Sequence, residues 1–247
     1  MFTTGHFIWL GAIISAIVVA IILIKKFNPS HKLIARILLI LSAILKVIHI
    51  AVSMMPSEDG GMVLYPTQLS FHLCSLQIFF IIYINFSKND KNVNMIKSFM
   101  VPSMLIGAFL ALVIPTEGCD VANLRVWQYF LIHGLYVFYG LYLLIVEKVD
   151  MSFKAYRNNF VILLACASVA FMMNSILHKE SVNFLYLRKP PMDGLPLLNL
   201  NNGWYVYIIT LALIAVVLIT LIHLPYLIKD IKAYKEKKRL IRESQIS

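Results

Sequence analysis

Seven apolar runs divide the chain, at about residues 7–26, 33–54, 65–86, 94–115, 126–147, 158–178 and 204–228. Each approaches the roughly 20 residues that a helix needs to cross the hydrocarbon of a bilayer. Short connections separate them, so the pattern predicts one all-α domain over 1–228, a polytopic bundle of seven transmembrane helices, and a basic tail at 229–247. The third run breaks the pattern. Its first half holds Gln68, Ser70, His72, Cys74, Ser75 and Gln77, and polar groups on a spanning segment point to function by default.

Composition supports the membrane class: 60% of the 247 residues are hydrophobic and 14% charged, against roughly 25% charged in a soluble domain. The net charge of +10 would suggest nucleic acid in a soluble protein. Here the basic residues cluster beside apolar runs, as orientation signals do, and no nucleic-acid partner is expected. Lys25, Lys26, Lys32 and Arg36 flank the first connection, Lys88, Lys91 and Lys97 the third, and Lys148, Lys154 and Arg157 the fifth. The intervening connections hold Glu58 and Asp59, then Glu117, Asp120 and Arg125, then the mixed stretch from Lys179 to Asp193. Positive-inside counting therefore predicts the N-terminus out and the C-terminus in. The run 7–24 lacks a basic stretch before it and carries Lys25 and Lys26 after it, which predicts an uncleaved first helix. The tail from Lys229 to Arg242 reads as a segment drawn to anionic lipid. Cys74, Cys119 and Cys166 have no CxxC spacing and imply neither a disulfide framework nor a zinc finger.

With that orientation, the 1.5 Å helical rise gives depths. His72 and Cys74 fall roughly 10 to 14 Å below the outer boundary, His133 about 12 Å, and Lys46 and His49 about 12 and 8 Å. Asn174 lies near the outer end of the sixth run. Ser42, Lys46, His49 and Ser53 share one face of the second span, and Gln68, His72 and Ser75 one face of the third. Several ionisable side chains at one level imply a shared cavity between spans 2, 3, 5 and 6. Taken singly, each His fits an interhelical hydrogen bond, Cys74 fits a small apolar filler, and Lys46 can snorkel outward.

Three chemistries suit such a pocket. In nucleophilic acyl transfer, a Cys74 thiolate attacks an ester while a histidine moves the proton. His72 would point about 200° away from Cys74 on a helix, so His133 is the better base. A zinc site from His49, His72, His133 and His178 ranks lower, because the chain has no HxxxH or HExxH pair and no carboxylate within the spans; no cofactor is expected. A transporter or receptor for a small anionic solute would need only binding, with Lys46 and the histidines as partners. A retinal-type photoreceptor is disfavoured, because the run from Trp204 to Ile228 has no lysine for a Schiff base.

The motifs Phe71-His72-Leu73-Cys74-Ser75-Leu76, Trp127 to Gly134, Val182 to Pro191, Leu197-Leu198-Asn199 and Trp204-Tyr205-Val206-Tyr207 resemble the YwaF-type family of bacterial integral membrane proteins. That family is similar to a eukaryotic seven-span phospholipid acyltransferase that uses a cysteine and a histidine. The resemblance implies a multi-pass protein of the bacterial plasma membrane with phospholipid as partner, and Cys74 and His133 as the catalytic pair. Lys46, His49, His72 and Gln128 would orient the ester or stabilise the oxyanion.

The connection 179–203 contains Pro190-Pro191, Asp193-Gly194 and Pro196, which forbid a continuous helix and predict a lid. Arg188 and Lys189 lie on the side where topology disfavours basic residues, which suits a lipid headgroup, or pairing with Glu180 and Asp193. Asn183 and Tyr186 either cap the end of span 6 or bond the ligand. The orientation is directly testable: a fluorescent reporter fused after Ser247 is expected to mature in the cytoplasm, and one placed at Asp120 to stay dark. The opposite pattern refutes the N-out reading.

Overall fold

The computed structural model describes residues 3–56, 61–69, 71–180, 182–192, 194–195 and 197–244. Glu58, Asp59, Ser70, Asp193 and Pro196, named above, lie outside the described residues. The chain forms α1 (Thr4–Phe27), α2 (His31–Ser53), a hairpin of β1 (Met54–Pro56) and β2 (Met62–Leu64), α3 (Leu73–Phe86) and α4 (Asp90–Val113), followed by α5 (Leu124–Tyr142), α6 (Phe153–Ile176) and α7 (Trp204–Ser244). Among the described residues, six of the seven helices are long and apolar enough to cross a membrane, and α3 is shorter.

Polar side chains set the helix starts. Thr3, Ser30, Asn89, Asn123 and Ser152 each accept a hydrogen bond from an amide of the first turn, which would otherwise be unsatisfied. Asn28 ends α1 in the left-handed conformation, at φ 45°. Cross-helix bonds fix which ends meet: the His6 ring bonds the Leu112 carbonyl at 2.8 Å, and His31 Nδ1 meets the Tyr142 hydroxyl. The bundle thus has a hairpin end, which carries the start of α1 and the connections after α2, α4 and α6, and a tail end.

α5 is the hub. It packs against α1, α2 and α4, and glycines let neighbours approach closely, as bundles in lipid require. A Cβ at Gly134 would stand 3.0 Å from the Ile13 side chain, and one at Gly140 3.1 Å from Leu105. By contrast Val19, Ile22, Leu213, Val217 and Leu221, on α1 and α7, are exposed apolar positions suited to lipid.

Two expectations change. The helix expected over 65–86 begins only at Leu73; before it, the described residues form a 3-10 turn at Pro66–Gln68, and Leu69, Phe71 and His72 are not helical. Fourteen helical residues rise about 21 Å, short of the hydrocarbon thickness, so Gln68 and His72 precede the helix while Cys74, Ser75 and Gln77 lie in its first turns. The last helix does not end near 228 but continues unbroken to Ser244, through Pro225.

Polar contacts clamp the tail end. α5 runs into a π-helical turn at Leu143–Glu147, and Glu147 pairs there with Lys97 of α4. His223 of α7 donates from Nδ1 to the Met151 carbonyl at 3.1 Å, so its Nε2 accepts from the buried Asn159 amide of α6 at 2.9 Å. Ser98 of α4 donates to the Asp150 carbonyl. Replacing Asn159 by Leu is expected to lower stability by about 1 kcal/mol, in line with interhelical hydrogen bonds in membranes. Thermal unfolding in detergent reads this, and an unchanged midpoint refutes the bond's contribution.

Candidate functional site

The irregular segment delivers its polar residues to one place. His72 occupies the N-cap position of α3 without capping it through its side chain, and the first helical bond runs from the Leu76 amide to the His72 carbonyl. Among the described residues, the amides of Leu73 and Ser75 therefore have no acceptor, and the Cys74 amide faces its own sulfur. Cys74 is half-buried in this first turn. Gly107 of α4 faces it, and a Cβ there would lie 3.3 Å from Sγ.

Tyrosines surround the thiol. Tyr129 and Tyr136 of α5 and Tyr186 of the connection 177–203 all lie within electrostatic reach of Cys74. Tyr129 neighbours His133 as well, while its hydroxyl donates to the Ala111 carbonyl at 2.8 Å. The His133 ring packs on the Tyr129 ring at 4.4 Å between centroids, and His133 Nδ1 bonds the Tyr129 carbonyl at 2.7 Å. A carbonyl only accepts, so Nδ1 carries the proton and Nε2 keeps its lone pair free for base chemistry. No hydrogen bond joins Cys74 to His133 among the described residues; the two share Tyr129 as neighbour.

A second group of polar residues lies on α2 and at the start of α5. His49 faces the Gln128 side chain and the Gln68 backbone, with Lys46 and Arg125 in electrostatic reach, and His133 senses His49 in turn. Arg125 is held by Glu117 at 3.0 Å.

The connection after α6 folds inward as a strap. Asn174 of α6 donates to the Phe184 carbonyl at 3.0 Å and accepts from the Phe184 amide at 2.8 Å, and Phe184 is fully buried. Leu185 and Tyr186 follow with φ of 51° and 56°, a left-handed conformation that is strained for non-glycine residues. From α7, Tyr207 donates its hydroxyl to the Tyr186 carbonyl and Trp204 its indole N–H to the Leu187 carbonyl at 2.8 Å. So held, Phe184 and Tyr186 lean on the His72 ring, at 5.7 and 5.1 Å between centroids.

Asn183 accepts from the Arg188 and Lys189 amides and donates to the Lys189 carbonyl, so its side chain closes the strap's own turn. Arg188 donates to the His178 and Val182 carbonyls at the end of α6, while the Lys189 side chain is exposed. A shallow groove over the strap, lined by Phe171, Asn174, Ser175, His178, Arg188 and Trp204, touches neither Cys74 nor His133.

The structure thus groups Cys74, His133 and His72 around Tyr129 and the strap, and Lys46, His49 and Gln128 beside them, while Arg188 and Asn183 serve the strap. Sequence reasoning missed Tyr129, Tyr136 and Gly107; the spacing of Tyr129 four residues before His133 is the one signal that could have found the first. Among the described residues no three of His, Cys, Asp and Glu converge as metal ligands would.

A family model covers this whole arrangement, matching residues 1–223 with the description TMEM164 family. The chain belongs to the TMEM164 family. The match spans the motifs on which the YwaF-type resemblance rests, and it carries the TMEM164 description instead. No curated protein and no solved structure matches the chain. Membership in the TMEM164 family and the long apolar helices together make this an integral, multi-pass membrane protein.

Replacing Asn174 by Ala strips both backbone partners from buried Phe184 and is expected to cost about 2 kcal/mol, the toll of unsatisfied buried groups. Hydrogen exchange at 182–188 should rise while that of α4 stays fixed; unchanged protection there would refute the pin.

Proposed function

We propose that this protein is a lipid acyltransferase or transacylase in which Cys74 carries the acyl group and His133 moves the proton. The observation that carries the reading is Cys74 in the uncapped first turn of α3, sharing Tyr129 with an imidazole whose Nε2 is free. Free amides at a helix N-terminus favour negative charge, which suits both a thiolate and an oxyanion.

The reaction balances with these groups. The thiol proton passes to His133 Nε2, directly once substrate closes the site or through one water, and Sγ attacks the ester carbonyl. The tetrahedral oxyanion is met by the amides of α3, and its collapse forms a thioester while the leaving alkoxide takes the proton from His133. An acceptor hydroxyl then gives its proton to His133 and attacks the thioester, which restores the thiol. Gly107 lets Sγ sit close against α4, where a Cβ would stand 3.3 Å from it. In the N-out orientation expected from charge, the donor is drawn from the outer leaflet of the bacterial plasma membrane.

The test is the intact mass of the purified protein after incubation with phosphatidylcholine. The wild type is expected to gain one acyl chain and release lysophospholipid, Cys74→Ser to gain none, and His133→Ala to react roughly 10²-fold more slowly. No adduct and no lysophospholipid in any sample would overturn the reading in favour of a transporter or receptor for an anionic solute.

A further inference from the structure

Among the described residues, Lys46 is a half-buried cation inside a long apolar helix that no acid answers. Arg125 is paired with Glu117 and Lys97 with Glu147, but Lys46 has no carboxylate at ion-pair distance among the described residues. It sits seven residues before the end of α2, about 10 Å of helix from Ser53, and is half-buried. An ammonium at such a level of a membrane helix needs an anion or water.

Its surroundings are polar. His49, one turn on, lies beside Lys46 and bonds the Gln68 backbone and the side chain of Gln128, which is only 7% exposed. Arg125 is within electrostatic reach of the same imidazole, its own charge balanced by Glu117. One positive charge without an acid partner among the described residues, beside an imidazole and a side-chain amide that both carry N–H groups, suits a single monoanionic oxygen group, such as a phosphodiester or a fatty-acid carboxylate.

Level along α5 separates these two. Gln128 stands five residues nearer the hairpin end than His133, about 8 Å along the axis. A glycerophospholipid presents its groups in that order, with phosphate toward the interface and acyl esters several bonds deeper. A carboxylate bound at Gln128 would instead leave only alkyl chain at His133. We infer that Lys46, His49 and Gln128 form the phosphodiester site that seats a glycerophospholipid with its ester beside Cys74. The inference rests on the acyl-transfer reading for what happens to that ester, though not for the binding itself.

Binding is therefore measured in the Cys74→Ser protein, which cannot turn over. Lysophosphatidylcholine, the monoacylglycerol of the same chain and the free fatty acid are titrated separately in detergent. Lysophosphatidylcholine is expected to bind about 10-fold more tightly than monoacylglycerol, as charge-assisted hydrogen bonds to phosphate would give. Adding Lys46→Met or Gln128→Leu should erase that preference and leave monoacylglycerol affinity unchanged, which also reports correct folding; Lys46→Arg should retain it. Equal binding of the two lipids, a preference that survives Lys46→Met, or tighter binding of the fatty acid each overturns the inference. A preference without any acyl adduct on the wild type keeps the phosphodiester site and removes the acyl-transfer reading; an adduct without the preference does the reverse.

Discussion

Two hydrogen bonds between the Asn174 amide and the backbone of Phe184 hold the hairpin end together. Backbone that is not helical finds no partners in hydrocarbon, so a chain that leaves helix at membrane depth must be enclosed by protein and satisfied by side chains. Both irregular segments of this bundle obey that rule in different ways. The strap takes its partners from Asn174, Asn183, Arg188, Trp204 and Tyr207. Among the described residues, the first turn of α3 leaves the Leu73 and Ser75 amides without an acceptor, on either side of Cys74.

This division separates support from chemistry. Asn174 and Asn183, which hold the strap, have both side-chain polar atoms committed, whereas the imidazole of His133 has one nitrogen committed and one free. Strain at Leu185 and Tyr186 fits the same scheme: a left-handed turn between non-glycine residues persists only where surrounding bonds over-determine it. The result is a wall of fixed shape beside a thiol. Opening the strap would have to break at least the Asn174 pair, which makes it costly to move.

Much of this was legible in the sequence. Run length gave the helix number and composition the membrane class; polar residues inside apolar runs singled out Cys74, His133, Lys46 and His49 as candidates. The start of α3 was not, because Pro66 is tolerated in a helical first turn and the run looked continuous. Nor were the tyrosines around Cys74: an aromatic residue in a spanning helix reads the same whether it faces core, interface or a reacting group. The strap's path depends on bonds between α6, α7 and residues 183–189, which no local pattern encodes. The continuity of α7 escaped notice because a switch from apolar to charged residues marks where hydrocarbon stops, and says nothing of where helix stops.

That continuity has an electrical consequence. A helix of 41 residues is about 60 Å long, twice the hydrocarbon thickness, and one axis gives it one direction. Its basic residues, from Lys229 to Arg242, are stacked at successive heights along that axis. Screening in physiological salt acts over about 8 Å, so for a helix leaving the bilayer only the first turns feel the lipid charge. The distal turns then form a positive column in the aqueous phase, facing whatever soluble anions pass by.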